Sequence, residues 1–518
     1  MTHWSYLRSS VGRLLFLVLV GAVAAGCASF KGQAPRTHIV MANSQGWAVE
    51  PADGYRKLSA KEYDDALDAT FTDMATFCAN RRPCQVLFFV HGGMNTRTNT
   101  LERAERLHTR IKEAGVYPVF LNWNSSFPSS WWDHLAKVRK GLWKPGTAIL
   151  APYFFASDQI RSVPEAPMAW VAEARHALTT LGPTNPSVVA YASLVGSNGG
   201  VDVNSILQPD AKSLIDDRTG WERHRAKLAL PVTAPIKIVA APFIVQPWGS
   251  GAWDIMQRRT TMLFRTEEAF RTTPDGGGAV ESGAAFAHFL DRFQYDFLPL
   301  ICGGVAAPSK APNDLLSLNT RMTQPPPPGC PDKLALTMVG HSMGAIIVNQ
   351  ALRRAPMLDV ANVVHMASAA SVHDYRNTVL PYLRAHPKTE MYHLVLHPLA
   401  EVKERGFLDL SPRGSLLVWI DNYFSNPITP ADRTAGRFYN LAQELRFTDT
   451  DVRDRVHMKV FRVGTSMRCW SPQKHGDFGG FPYWDPKFWD PAQNPTARAP
   501  ARWNDPRCDP KAVADAGQ

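Results

Sequence analysis

The sequence predicts an α/β protein in which a mostly parallel central sheet is flanked by helices. Val86–Val90 is a short apolar run that leads directly into a glycine-containing loop. A second run, Leu334–Val339, leads into the pentapeptide Gly340–Gly344, which is followed by residues with helical spacing. Two further runs, Met391–Leu396 and Val456–Val463, each lead into a polar loop. Short buried runs that alternate with helical patterns are typical of parallel sheets.

Composition supports a globular protein with a large core. The 518 residues are 45% hydrophobic and 20% charged, and the formal net charge is +10. The basic residues are scattered and no nucleic-acid-binding motif accompanies them, so nucleic acid is not an expected partner. A basic surface is instead suited to anionic headgroups, although it can equally be unspecific.

The N-terminus resembles a bacterial lipoprotein leader. Arg8 and Arg13 precede an apolar run, Leu14–Ala25, which is too short to span a bilayer as a helix. Small residues then precede Cys27, so we expect cleavage before Cys27 and lipid chains on its sulfur. An ordinary signal peptide is the alternative. Either way, the sequence predicts export to the cell envelope, and lipidation followed by Ala28 favours the outer membrane as the location.

The remaining cysteines indicate disulfides. Without Cys27, six of the seven cysteines remain, an even number that suits an oxidising compartment. Spacing alone allows many pairings, and we expect neighbours along the chain to pair. The predicted bridges are Cys78–Cys84, Cys302–Cys330 and Cys469–Cys508.

The pentapeptide Gly340–Gly344 has the G-x-S-x-G pattern of a sharp strand-to-helix turn. In such a turn the central residue, Ser342, takes a strained backbone conformation, and glycines are needed where a side chain would clash. This pattern favours Ser342 as a nucleophile. The alternative is an ordinary serine in a glycine-rich turn.

A loop for stabilising an oxyanion is predicted after the first apolar run. His91-Gly92-Gly93-Met94-Asn95 follows Val86–Val90, and its glycines permit close approach of the backbone. A tetrahedral intermediate needs preorganised N–H donors. One is expected from Met343, which follows the serine, and the other from Gly93 or Met94. The alternative is a plain strand-to-helix turn.

The general base and the acid are expected downstream, in the order Ser, Asp or Glu, His. His475 lies in the loop after the last predicted strand and is the candidate base. Glu401, in the loop after Met391–Leu396, is the favoured acid. Asp374 and Asp421 remain alternatives.

These motifs resemble those of the α/β-hydrolase superfamily, and are closest to bacterial serine esterase and lipase-like members. The resemblance covers residues 60–125 and 330–480, and rests on the HGGMN loop, the GHSMG turn and the YPVFLNWNS run. It implies the α/β-hydrolase fold, an ester or lipid substrate and an acyl-enzyme resolved by water, with no metal or organic cofactor. It also supports Glu401, although aspartate is commoner there. An acyltransferase using the same triad, or a scaffold that has lost catalysis, are the alternatives.

The long stretch between the two motifs indicates an inserted cap. We expect a signal peptide (1–26), an N-terminal tether (27–60), the first part of a hydrolase core (61–125), the cap (126–265), the second part of the core (266–483) and a Pro/Trp-rich tail (484–518). The cap is rich in aromatic residues, which suit an apolar substrate group, membrane docking or a small core of its own. A metal site at His393 and His397 lacks a completing carboxylate pattern, so no metal is expected.

Overall fold

A computed structural model of the chain describes residues 30, 32–53, 56–139, 142–181, 233–265, 283–303, 330–404, 412–461, 463–464, 467–490 and 500–508. The predicted leader and the lipidation site Cys27 lie outside these residues. Within the described ranges, no helix combines the length and apolarity needed to cross a bilayer.

A parallel sheet of seven strands forms the centre of the protein. Its strand order is β1-β3-β2-β6-β7-β8-β9, and each neighbouring pair is parallel. A separate antiparallel pair, β4 and β5, lies outside it. The strands are β1 Ile39–Ala42, β2 Cys84–Val90, β3 Val116–Trp123, β4 Val138–Arg139, β5 Leu142–Trp143, β6 Leu334–His341, β7 Asn362–Met366, β8 Glu390–Val395 and β9 Val456–Val460. The predicted α/β arrangement is confirmed.

The sheet is covered on both faces, which explains why its strands are continuously apolar. Successive side chains of β2 point to opposite faces. Phe88 makes edge contacts with Phe289 and Phe293 on one face, with ring centroids 5.1 and 4.9 Å apart. Phe89 stacks on Tyr483 at 4.2 Å on the other. A parallel sheet buried on both faces needs such runs rather than alternation.

The helices connect the strands and pack on both faces of the sheet. Helix α1 begins with a capping box, in which Ser59 and Glu62 satisfy each other's backbone N–H groups. The helices are α1 Ala60–Cys78, α2 Arg97–Glu113, α3 Phe127–Ala136, α4 Ala151–Ser162, α5 Ala166–Leu181, α6 Gln246–Met262, α7 Ala285–Arg292, α8 Leu298–Cys302, α9 Gly344–Arg354, α10 Val372–Asp374, α11 Leu380–Ala385, α12 Pro398–Lys403, α13 Leu416–Trp419, α14 Phe438–Leu445, α15 Thr450–Arg453 and α16 Pro486–Trp489.

The described residues between β3 and β6 are mainly helical and form a small core of their own. Trp131 packs against Trp248 and Phe155, with ring centroids 5.2 and 6.4 Å apart. A buried ion pair joins Arg259 of α6 to Asp133 of α3 at 2.8 Å. These contacts hold α3, α4 and α6 together, so some of the predicted aromatic residues serve packing.

All three predicted disulfides are present. Cys78 bonds to Cys84, Cys302 to Cys330 and Cys469 to Cys508. The third bridge ties the segment before His475 to the described C-terminal residues 500–508.

Strands β2 and β6 are neighbours at the centre of the sheet, and the connections that follow them run to opposite sides of the sheet. From β2 the chain passes through α2 to β3 on one side, whereas from β6 it passes through α9 to β7 on the other. The carboxyl ends of strands at such a point border a crevice that commonly binds ligands. The loops that follow β2 and β6 are the two glycine motifs of the sequence.

Candidate active site

The serine turn, Gly340–Gly344, joins β6 to α9 with strained backbone geometry. Ser342 has a φ of +55°, a left-handed conformation that is rare for residues other than glycine. Its N–H donates to the Met366 carbonyl at 2.8 Å, and its own carbonyl accepts from the Ala369 N–H at 3.0 Å. The end of β7 therefore holds the serine backbone in this conformation.

Two glycines of the turn are required by close backbone contacts. A Cβ at Gly344 would lie 2.2 Å from the Val90 carbonyl oxygen, and one at Gly340 would lie 2.7 Å from the Ala345 backbone. Neither backbone contact can move without displacing a strand or helix. The reason given for both glycines from the sequence is confirmed.

The Ser342 hydroxyl is buried and has no hydrogen-bond partner among the described residues. Buried polar side chains are nearly always paired, so an unpaired hydroxyl on a strained backbone requires a functional explanation.

The glycine loop, His91–Asn95, is held rigidly after β2. The Gly92 carbonyl accepts hydrogen bonds from His91 Nδ1 at 2.8 Å, from Asn95 Nδ2 at 2.8 Å and from Ser125 Oγ at 3.2 Å. His91 Nε2 accepts from the Trp123 N–H at 3.2 Å, so its Nδ1 carries the proton. Burial lowers the pKa of His91 to about 3, which keeps the ring neutral.

The three hydrogen bonds to the Gly92 carbonyl also set the direction of the Gly93 N–H group. The N–H and C=O of a trans peptide point in opposite directions, so fixing the Gly92 carbonyl turns the Gly93 N–H the other way. Met94, at φ +63°, donates its N–H to the Ser125 carbonyl at 2.9 Å. In the described part of the chain, no acceptor is found for the N–H groups of Gly93 and Met343. Of the two predicted loop donors, Gly93 therefore has its N–H available.

The glycine loop lies directly against the serine turn. A Cβ at Gly92 would be 2.9 Å from Ser342 Cβ, and a Cβ at Gly93 would be 2.8 Å from Met343 Sδ. The two motifs, which are far apart in sequence, thus meet at the carboxyl ends of β2 and β6.

His475 is buried beside the serine turn, and its backbone is fixed at both ends. Its N–H donates to Glu404 Oε2 at 2.9 Å, and its carbonyl accepts from His341 Nε2 at 3.0 Å. The rings of His341 and His475 are 5.3 Å apart. Glu404 and His341 were not predicted as site residues. Their positions, one helical turn after Glu401 and immediately before Ser342, are the only sequence signals that could have identified them.

The His475 ring makes no hydrogen bond to any described residue, through either nitrogen. It therefore does not bond Ser342 Oγ in this state. Burial, aided by His341, holds the pKa of His475 well below its usual range, so the ring is neutral. A neutral imidazole is the form that can accept a proton.

Glu401 is buried in the first turn of α12. Its Oε1 has no hydrogen-bond partner in the described residues, and its Oε2 lies 3.7 Å from Arg437 Nε, which is too long for a hydrogen bond. Burial raises the pKa of Glu401 to about 8, although the nearby Arg437 acts in the opposite direction. Burial likewise raises the pKa of Glu404 to about 7.

The other two candidate acids are engaged elsewhere. Asp374 forms an ion pair with Arg353 and accepts a hydrogen bond from Asn349 on α9. Asp421 accepts from the Thr434 N–H, from Arg437 and from Asn440, each at 2.8 to 2.9 Å.

A cleft of about 230 Å³ lies next to the serine turn, between α6 and α9. Its walls include Trp253, Ile346 and Ala369, whose N–H bonds the Ser342 carbonyl. Neither Ser342 nor His475 lines it, so this cleft adjoins the site rather than containing it.

The metal hypothesis at His393 and His397 gains no support from their surroundings. His393 packs against Tyr375 and His365, with ring centroids 5.1 and 5.6 Å apart. His397 caps α12 by accepting the Leu399 N–H at 3.0 Å. Across the described ranges, no group of three or more His, Cys, Asp or Glu side chains could hold a metal ion.

Comparison with protein-family models, with curated proteins and with solved structures finds no match for this chain.

Proposed function

We propose that this protein is a serine hydrolase that cleaves carboxylic esters through an acyl-enzyme. The observation that carries the proposal is Ser342, with its left-handed backbone and its buried, unpaired hydroxyl at the end of a central strand. Strain and an unpaired polar group at one residue are both unfavourable, and together they are typical of a catalytic position.

The proposed first step is attack by Ser342 Oγ on the ester carbonyl carbon. The carbonyl oxygen becomes an oxyanion, which the N–H groups of Met343 and Gly93 stabilise. The three hydrogen bonds that hold the Gly92 carbonyl support this role. Because they also fix the direction of the Gly93 N–H, this donor needs no reorganisation during the reaction.

His475 takes the Ser342 proton during the attack and returns it to the leaving alkoxide. Water then attacks the acyl-enzyme, with His475 again as base, and releases the carboxylic acid. Glu404 and His341 bond only the backbone of His475, so a turn of its ring toward Ser342 on substrate binding would break no hydrogen bond. Hydrogen bonds between catalytic groups are often long or unformed in ligand-free sites.

Glu401 is the proposed acid, which orients the imidazole and, in its ionised form, balances the imidazolium charge. Because burial raises the pKa of Glu401 to about 8, the ionised form increases as pH rises towards that value. Its unpaired Oε1 is available for a new hydrogen bond. Asp374 and Asp421 are already held by arginines and amides, so taking either for this role would break existing bonds.

We extend the proposal to the architecture and the location. The sheet and its two glycine motifs are consistent with the α/β-hydrolase fold, with residues 126–265 as a cap over the site. The three disulfides are expected in an oxidising compartment, which supports a location in the cell envelope. The proposed anchor at Cys27 rests on the leader sequence.

Active-site labelling with a fluorophosphonate probe tests the proposal. Wild type should be labelled, whereas Ser342→Ala and His475→Ala should not. Ser371→Ala is the matched control, because Ser371 is a nearby serine whose hydroxyl caps α10, and its labelling should be unchanged. Esters of graded acyl length would then identify the preferred substrate.

A folded wild type that resists labelling, with and without detergent or lipid, would overturn the hydrolase proposal and favour a non-catalytic scaffold. Labelling that persists in Ser342→Ala would assign the nucleophile elsewhere. Acyl transfer to an added alcohol, measured against release of free acid, distinguishes an acyltransferase from a hydrolase.

A further inference from the structure

The loop that carries His475 contains little regular structure of its own. We call residues 467–481 the histidine loop; it follows β9 and includes one short 3₁₀ helix, His475–Gly480. The His475 ring makes no hydrogen bond to any described residue. Its location is therefore set by packing and by the bonds that hold the backbone of the histidine loop.

The C-terminal segment, residues 500–508, is joined to the histidine loop ahead of His475. Cys469 forms a disulfide with Cys508. The Cys469 carbonyl also accepts the Arg502 N–H at 2.9 Å. One covalent bond and one backbone hydrogen bond thus meet at the same residue of the loop.

The same segment is bonded to the histidine loop beyond His475. The Trp503 N–H donates to the Gly480 carbonyl at 2.9 Å. The Trp503 indole N–H donates to the Gly479 carbonyl at 3.2 Å. The C-terminal segment therefore holds the histidine loop on both sides of the candidate base.

A side-chain link from Arg502 reaches the residues that immediately precede His475. Arg502 Nη1 lies 3.1 Å from Asp477 Oδ1, and both side chains are only partly exposed. Asp477 Oδ2 accepts the N–H groups of Gln473 at 3.0 Å and Lys474 at 3.1 Å. The carboxylate thus connects the guanidinium to two peptide groups next to His475, through hydrogen bonds that charge strengthens.

We propose that the C-terminal segment positions His475 for proton transfer, with Arg502 as a positioning residue and the Cys469–Cys508 bridge as its anchor. The inference rests on the proposed function, in which His475 is the base. A base must come within hydrogen-bond reach of the proton that it accepts. A misplacement of about 1 Å in an active site can lower the rate about 100-fold. Since no described hydrogen bond holds the ring, its placement depends on these backbone supports.

Removing the bridge tests the proposal in the full chain. The quantity measured is the second-order rate constant for labelling of Ser342 by a fluorophosphonate probe. Cys469→Ser combined with Cys508→Ser should lower it at least about tenfold. Cys302→Ser combined with Cys330→Ser is the matched control and should leave the rate constant unchanged. That bridge adjoins the amino end of β6, whereas the site lies at its carboxyl end.

Arg502→Met tests the link while keeping the bridge. With p-nitrophenyl butyrate as the probe ester, kcat should fall several-fold and KM should stay unchanged, because placement of the base affects the transition state rather than binding. Arg502→Lys keeps a cation beside Asp477 and should restore most of the rate. Arg507→Met is the control, because Arg507 is exposed and its partner Asp505 retains Arg468.

A double-variant cycle tests whether Arg502 acts through Asp477. Asp477→Asn should lower kcat as Arg502→Met does, and the double variant should be no slower than either single one. Amide hydrogen exchange gives a readout that does not depend on catalysis. Residues 473–480 should exchange faster in the bridge variant, whereas β6 should not change. Unchanged exchange in 473–480 would overturn the proposal.

The outcomes separate this proposal from the hydrolase proposal. Wild-type rates in both the bridge variant and Arg502→Met would overturn the positioning role alone, because Glu404 and His341 would then suffice to hold His475. A folded wild type that is not labelled would overturn the hydrolase proposal itself. Circular dichroism shows whether each variant is folded, and if the bridge variant is not, Arg502→Met decides.

Discussion

Glu401→Gln should remove a specific pH dependence from the stability of this protein. Burial raises the pKa of Glu401 from its usual 4.5 to about 8 in the folded state. Between these two pKa values the folded protein keeps a proton that the unfolded chain has released. The free energy of unfolding therefore falls as pH rises. The stabilising contribution of Glu401 is complete below pH 4.5, its usual pKa, and is lost as pH rises through its folded-state pKa of about 8.

The magnitude follows from the size of the shift. Each pKa unit corresponds to about 1.4 kcal/mol, so the wild type should lose about 4 kcal/mol relative to Glu401→Gln between about pH 5 and about pH 8. The two proteins should be similarly stable at the acid end, where the Glu401 carboxyl is neutral, as is the amide that replaces it. Glu404 titrates in the same direction but is present in both proteins, so its effect cancels.

Urea denaturation at a series of pH values measures this difference, read from the midpoint at constant slope. Glu113→Gln, which removes an exposed carboxyl at the end of α2, is the control and should follow the wild type. Midpoints of wild type and Glu401→Gln that remain parallel across the whole range would refute the reasoning, because Glu401 would then ionise as it does in water.

Two further predictions concern packing around the site. Gly344→Ala should destabilise the fold by about 2 kcal/mol or more, because the new Cβ would lie 2.2 Å from the Val90 carbonyl. Gly146→Ala meets nothing within 4 Å and should melt like wild type, so equal melting temperatures for both variants would contradict the contact. Arg259→Met should cost up to about 3 kcal/mol, because it removes the buried cation that bonds Asp133 and leaves this buried aspartate with only the partly exposed Lys137 as a partner. Arg258→Met, at a partly exposed pair, should change the denaturation midpoint by well under about 1 kcal/mol, and a comparable loss in both would refute the distinction.

The local elements could be predicted from the order of residues alone. Apolar runs of strand length are visible in the chain because both faces of a parallel sheet exclude water, and the runs at β2, β6, β8 and β9 were each found as strands. The geometry of the serine turn was predictable in part. Gly340 is required by contact with the backbone of Ala345, five residues later, whereas the contact with Val90 that requires Gly344 is made only by the fold. Pairing cysteines with their neighbours along the chain correctly gave all three bridges.

Other features depend on contacts between residues that are distant in sequence, so they could not be predicted before the fold was known. Strand β1 lies within the predicted tether and is too short to have a clear pattern, so it is defined by its pairing with β3. The fixing of the His475 backbone by Glu404 and His341 joins residues 71 and 134 positions away. The partners of Asp374 and Asp421, which leave Glu401 as the candidate acid with one unpaired oxygen, are likewise assembled by the fold. A sequence shows which residue types are present, but burial and pairing are set by whatever else the fold brings within a few ångströms.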